Sequence, residues 1–373
     1  MAFRDITAAE WTAQIRVGWI IGNTFDAYGN ATGSNWADGG TYADMSVTEM
    51  ETKWGNPITL RENFDAVKNA GFNAVRIPVT WGKACDEDDN IRADWMARVK
   101  EVVDFAVAND LYIILNSHHD DHVFFHFYDK DMERTSRKFV RIWEQIAETF
   151  KDYDEKLIFE PLNEPGDVNS ELMWQGGTPE IRENINVLNQ LFVDTVRKSG
   201  GNNARRVLMI ACQAAHIYAY DLSIIADLRI PKDTVPDKII VTVHEYCPHS
   251  FANAAGADTA TTWSEDNPDD TQPIYQNIDT AYDLFVSKGM PLILGEMGAI
   301  NKDNLEARAR YAEFYVRYAK SKGMPCFWWD NGGLEPSREM ADGNWNSPFG
   351  LLNRETSEFV FLEIVEGLMR GTA

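Results

Sequence analysis

The stretch KLIFEPLNEPG, residues 156–166, carries the decisive reading of the fold. Its first half is a short apolar run, and its second half is polar and turn-forming. Leu157, Ile158 and Phe159 suit a strand buried on both faces, as in a parallel sheet. Asn163 and Glu164 follow, and Pro165 and Gly166 break the chain at once. The plain reading is that a polar loop begins there. The other is that the strand is a rigid arm holding a reactive acid at a cleft mouth.

Seven similar runs lie outside this stretch: RVGWIIGN (16–23), NAVRIPV (73–79), LYIILN (111–116), RVLMIAC (206–212), KIIVTVHEY (238–246), PLILGEM (291–297) and PCFWWDN (325–331). Amphipathic segments alternate with them. TLRENFDAVKNAG (59–71) sets Leu60, Phe64 and Val67 on one face. ADWMARVKEVVDFAVAND (93–110) does the same with Trp95, Val99, Val102, Val103 and Ala106. Segments 136–150, 184–200 and 306–323 repeat the pattern, the last two stopping at glycine. Eight strands interleaved with helices predict an α/β fold of the (β/α)8 TIM-barrel type, one domain over 1–373 with its core at about 16–370. The rival is an open doubly wound sheet. Its nucleotide-binding form is disfavoured, because no G-x-G-x-x-G follows the first strand.

The formal charge of −23 over 373 residues argues against nucleic acid, anionic membranes and polyanionic substrates. The 12 tryptophans exceed what a core of this size needs and offer flat faces for stacking. Cys85, Cys212, Cys247 and Cys326 are scattered, with no C-x-x-C pair, so neither a zinc knuckle nor a dense disulfide framework is expected. No apolar stretch reaches the ~18 residues of a membrane span. MAFRDITAAEW, residues 1–11, has no leader pattern and reads as a trimmed start.

Catalytic groups of such barrels sit at the C-terminal strand ends. Arg76 lies near the end of the second run, and Asn116-Ser117-His118-His119-Asp120 close the third. Asn163 and Glu164 follow the fourth, His244-Glu245-Tyr246 the sixth, Glu296 the seventh, and Trp328-Trp329-Asp330-Asn331 the eighth. Two acids flanking a gap suit glycosidic-bond cleavage: one protonates the leaving oxygen, the other attacks the anomeric carbon. Bland readings exist for each residue alone. Glu296 fits a helix-capping acid, and Arg76 a structural ion pair that needs a buried partner. His118 and His119 fit packing residues or metal ligands. His118, His122 and His126 recur at a spacing that suits zinc on one helical face, but HDDHVFFHFYD is not H-E-x-x-H and offers no clear fourth ligand.

VRIPVTW, LNSHHD, FEPLNEP, VTVHEYCP, LILGEMG and FWWDNG resemble, in this order, the motifs of glycoside hydrolase family 5, the cellulase family of (β/α)8 retaining enzymes. WIIGNTFDA (19–27) and WGNP (54–57) are similar to its subfamily 4 endoglucanases, and the resemblance spans roughly 16–352. It implies Glu164 as acid/base and Glu296 as nucleophile. It implies Arg76, His118, Asn163, His244, Tyr246 and Trp329 as the remaining site residues, with Asn163 on the sugar 2-hydroxyl and Trp329 as sugar platform. A cis peptide after Trp329 is part of the family pattern. Asn23 is expected at a non-reducing-side glucose and His119 in the pocket wall. The chain departs from the family at Ile20 and Ile21, where G-W-N-L-G-N-T is usual, and at Ser117.

The resemblance thus implies a retaining endo-β-1,4-glucanase active on β-1,4-glucan and mixed-linkage β-glucan, needing no metal or cofactor. Xyloglucan, xylan or mannan with the same chemistry is the alternative, and a silent carbohydrate-binding barrel a remote one. A monomeric, extracellular protein with a polysaccharide substrate is expected, and carboxyl groups ~5–5.5 Å apart rather than ~6.5–9.5 Å. Trp263, in the irregular stretch 247–273, is expected either to stack leaving-group sugars or to sit in a solvated acidic loop.

Overall fold

The structure, a computed structural model, describes residues 3–29, 44–123, 125, 127 and 132–373. Eight parallel strands close into a barrel in sequence order. They are β1 (Gly18–Ile21), β2 (Ala74–Ile77), β3 (Tyr112–Asn116), β4 (Leu157–Glu160), β5 (Leu208–Ala211), β6 (Ile239–His244), β7 (Leu292–Met297) and β8 (Cys326–Asp330). Each falls inside one of the eight apolar runs. The closing pair is β1 with β8, with Gly18 opposite Phe327 and Ile20 opposite Trp329. Helices Arg61–Asn69, Ala93–Ala108, Met132–Phe150, Pro179–Lys198 and Leu305–Ser321 occupy the predicted amphipathic segments.

The period of two along each strand explains why these runs are apolar throughout. Ile20, Ala74, Ile114, Ile158, Met209, Ile240, Ile293 and Phe327 fill the barrel interior as one buried cluster. Their neighbours Trp19, Val75, Ile113, Phe159, Ile210, Val241, Leu292 and Trp328 belong to the larger core shared with the helices. The helix Ala8–Gln14 closes the lower end. A capping box between Thr7 and Glu10 starts it, and Trp11 meets the edge of Tyr112 at 5.4 Å between ring centres.

Two residues further along the inward face the chemistry changes. Ala74 is followed by Arg76, Ile114 by Asn116, Ile158 by Glu160 and Phe327 by Trp329. The upper barrel interior is therefore polar where the lower is apolar. β7 reaches the same layer by an irregularity: its register shifts against both β6 and β8. Strict alternation would point Glu296 outward, and the shift re-aims it. Gly295 is required there, since a Cβ would stand 2.2 Å from Thr242 Oγ1.

The stretch 247–273 differs from expectation. It contains a short helix, His249–Ala252, and from Pro268 it is already the helix Pro268–Leu284, capped by Asn267. Trp263 is 2% exposed. Its ring packs on Tyr311 and Phe314, at 5.9 and 5.1 Å, so it is core rather than a sugar platform. The polar stretch hides the aromatic face of the helix Leu305–Ser321. Trp263→Ala is expected to cost about 3–5 kcal/mol of stability, read by denaturant unfolding, with KM for cello-oligosaccharides unchanged. The cis peptide expected after Trp329 is not observed either. Trp329 and Asp330 continue the β8 ladder against β1, and the cis bond among the described residues is Cys247–Pro248.

Candidate active site

Arg76 organises the upper layer. Its side chain is fully buried, and its guanidinium donates to Glu160 Oε2 (2.7 Å), Glu296 Oε1 (2.6 Å) and Asn163 Oδ1 (2.7 Å). One planar fork thereby fixes residues from β4, its exit and β7. Burial alone would favour loss of the charge, but the Glu160 and Glu296 carboxylates outweigh it and hold the guanidinium above its ordinary pKa.

The other oxygen of Glu296 accepts the Tyr246 hydroxyl at 2.8 Å. Burial, then the charges of Glu296 and Glu164, push the Tyr246 phenol well up, so it stays a donor. Glu164 meets His244, whose Nδ1 lies 2.9 Å from Glu164 Oε1 and 3.7 Å from Glu296 Oε2. Desolvation lowers the His244 pKa below the ordinary histidine value, which keeps the ring neutral at neutral pH. The backbone that carries Glu164 is pinned from β3: Asp121 Oδ2 accepts the N–H of Asn163 (3.0 Å) and of Glu164 (2.7 Å). Pro165 and Gly166 then take the chain away. One ligand atom each of Glu164, His244 and Glu296 lies within 4.8 Å of the others. The two acids therefore face each other across a short gap, each oriented by a different hydrogen-bond partner.

These groups open into a cleft of about 820 Å³. Asn23, Trp54, His118 and His119 line it near β1, with Trp329 on β8. Trp329 is parallel to His118, at 5.6 Å and 4° between ring planes. Asn23 has φ +56°, which asparagine tolerates better than most residues. Its N–H donates to Asp26 and its carbonyl accepts from Asn56. His119 packs among His118, Tyr28 and Trp54, a wall position as expected. Trp329 lies directly on Gly22, where a Cβ would stand 2.6 Å from the indole ring. Gly22→Ala is thus expected to tilt Trp329 and raise KM for cello-oligosaccharides severalfold, with the fold retained by circular dichroism.

All ten site residues expected from sequence converge on this cleft or on the Arg76 network beneath it. His126 and the His122 side chain lie outside the described residues. Among the described residues, two clusters offer three metal-ligating atoms within 4.8 Å: Asp26–His118–His119 and Glu164–His244–Glu296. In the second, Glu296 already shares the buried Arg76 guanidinium with Glu160. In the first, both Asp26 oxygens accept backbone N–H groups.

Sequence reasoning missed Glu160, Asp121, Trp54 as a cleft residue, Trp174 and Phe349. Glu160 had a readable signal, an acid inside LIFEPL, which must be paired once the strand is buried. Trp174, in a single 3₁₀ turn (Met173–Gln175), and Phe349, in a loop, lie outside any periodic pattern and had none. Ser117, a departure from the family pattern, donates to Asp120 at 2.8 Å; Ile20 and Ile21 are fully buried core residues.

A closed (β/α)8 barrel carrying paired acids at the ends of β4 and β7 defines a class of carbohydrate-cleaving barrels. The family model Cellulase (glycosyl hydrolase family 5) matches residues 31–335. Endoglucanase A of Clostridium longisporum is 39% identical over 365 residues, covering 98% of this chain and 66% of the relative. Among solved structures, a GH5-4 broad specificity endoglucanase from Ruminococcus champanellensis with bound cellotriose superimposes with a TM-score of 0.88 at 36% identity, covering 99% of this chain and 100% of the other. XEG5A, a GH5 xyloglucan-specific endo-β-1,4-glucanase from a metagenomic library in complex with cellotriose, gives 0.83 at 37%, covering 96% and 97%. The chain belongs to glycosyl hydrolase family 5, and it spans about two thirds of the length of the curated relative.

Proposed function

We propose that the protein is a retaining endo-β-1,4-glucanase that acts through Glu164 and Glu296. The observation that carries this reading is the pairing of two carboxylates at the exits of β4 and β7, one oxygen of each lying within 4.8 Å of the other. Inverting chemistry needs ~6.5–9.5 Å between carboxyl groups to admit a water; retaining chemistry needs ~5–5.5 Å.

Glu296, oriented by Arg76 and Tyr246, attacks the anomeric carbon as a carboxylate. Glu164 passes its proton to the glycosidic oxygen, the C–O bond breaks, and a covalent glycosyl-enzyme forms. Glu164, now a carboxylate, takes a proton from water as that water attacks the same carbon. The bond to Glu296 breaks and the sugar leaves with its original configuration. Asn163, positioned by Arg76, holds the 2-hydroxyl, and Trp329 is the platform under the ring. No step calls on a metal or cofactor.

The substrate is a neutral β-glucan in an open cleft, in keeping with the charge of −23. The relatives named above include a broad-specificity and a xyloglucan-specific endoglucanase, so side-chain tolerance is the open dimension of this reading. The proposed protein is one barrel unit, monomeric and extracellular; among the described residues no helix is long and apolar enough to cross a membrane. Reducing-sugar release from carboxymethylcellulose, barley β-glucan, xyloglucan, xylan and glucomannan tests it. Release from the first two is expected. Release from xyloglucan alone would replace the substrate, and release from none would favour a binding barrel.

A further inference from the structure

We propose that His216, presented by the buried carboxylate of Glu245, binds the leaving-group sugar. The inference rests on the glucanase reading and extends it to the half of the cleft opposite Asn23. β5 faces β1 across an eight-stranded barrel. With Asn23 and Trp329 on the side of the retained sugars, the loop after β5 borders the sugars that depart.

That loop is built at a cost. Ala214, Ala215 and Tyr218, on both sides of His216, all have positive φ, at +50°, +46° and +49°. Such backbone persists in non-glycine residues only where the surroundings over-determine it. Glu245 holds the middle of this loop, while Ala214 N–H donates to the Pro165 carbonyl and Ala215 N–H to that of Cys212. Glu245 is 1% exposed and sits next to inward-facing His244. Its Oε1 accepts the Ile217 N–H at 3.0 Å, and its Oε2 accepts the Asn277 side-chain amide at 2.7 Å. His216 Nδ1 lies 3.1 Å from Oε1. Of these three partners only the imidazole can carry a compensating charge, which favours pairing it with a buried carboxylate.

The His216 ring is held edge-on by Tyr218 at 4.7 Å, lines the cleft and leaves a third of its side chain exposed. With Nδ1 engaged by Glu245, Nε2–H is the ring's remaining donor. The groups facing it are Glu245 from β6, Glu164 from β4, the His244 carbonyl and its own neighbour Tyr218. Burial opposes its charge, while Glu245 and then Glu164 outweigh that and raise its pKa. A hydrogen-bond donor beside the acid/base suits a sugar hydroxyl on the departing side.

The test compares 2,4-dinitrophenyl β-cellobioside, whose leaving group is no sugar, with cellotetraose. For His216→Ala, kcat/KM on cellotetraose is expected to fall about ten- to a hundredfold, and on the aryl substrate to stay within a fewfold. His216→Gln, which keeps a donor where Nε2 stood, should recover part of the loss. His216→Asn, which keeps a donor only toward Glu245, should not. Equal losses on both substrates, no loss on either, or rescue by asparagine alone would overturn this proposal while leaving the glucanase reading in place. A wild-type protein inert on both substrates would overturn both.

Discussion

Glu296→Ala is expected to lower kcat on cello-oligosaccharides by at least about 10⁴-fold, with oligosaccharide binding kept. Removing the proposed nucleophile blocks the first covalent step, and the other described acids do not replace it: Glu160 is buried beneath Arg76, Glu245 is buried against Ile217 and Asn277, and Glu164 is the proposed acid/base. The fold should survive. Arg76 would lose one carboxylate but keep Glu160 and Asn163, so its charge stays paired. Alanine also leaves room for a small anion. Azide should partly restore turnover of an activated β-cellobioside and yield the α-cellobiosyl azide, the inverted product of a single displacement. Isothermal titration with cellotetraose checks binding, and NMR of the azide product checks its configuration. A variant that retained most of its activity on polymer would remove Glu296 from the nucleophile role.

Glu164→Ala separates the two steps differently. Protonation of the leaving oxygen matters for a sugar, which is a poor leaving group, and little for dinitrophenolate. Loss of about 10²–10⁴-fold is therefore expected on cello-oligosaccharides, with formation of the glycosyl-enzyme from 2,4-dinitrophenyl β-cellobioside almost unchanged. Hydrolysis of that intermediate then becomes slow, since no base activates the water. Azide needs no base, so it should speed turnover and give the β-configured azide. The substitution leaves the local backbone in place, because Asp121 holds the main-chain N–H of residue 164. Equal losses on good and poor leaving groups would count against the acid/base role.

The barrel was legible because its signal is redundant. Eight runs of Ile, Val and Leu, each cut off by glycine, proline, asparagine or aspartate, have few other arrangements open to them. The exits of β4 and β7 were legible for a related reason: a carboxylate ending an apolar run has to be explained. Arg76 within VRIPV likewise announced a buried partner. What stayed hidden was the identity of that partner. Glu160 is one of three acceptors on the same guanidinium, and only register and alternation show that it points the same way as Arg76. The re-aiming of Glu296 by the β7 irregularity was equally invisible, since a shifted register leaves no mark in the residue pattern.

Trp263 shows the converse failure. A tryptophan among Asp, Thr, Ser and Asn reads as exposed, yet the aromatic face it covers, Tyr311 and Phe314, lies about 50 residues further on in the chain. Burial of this kind is a property of the assembled fold and not of a sequence window. Glu245 and His216 were hidden in the same manner. His244-Glu245-Tyr246 gives no hint that its middle carboxylate faces away from the catalytic pair and toward the loop after β5.

Incubation with 2,4-dinitrophenyl 2-deoxy-2-fluoro-β-cellobioside, followed by proteolysis and mass spectrometry, tests the assigned chemistry most directly. The fluorine slows release of the covalent intermediate more than its formation. The expected result is one fluorocellobiosyl adduct per chain, on the peptide that contains Glu296 and on that side chain. An adduct on Glu164, or turnover of the natural substrate with α-configured product and no adduct at all, would contradict the account.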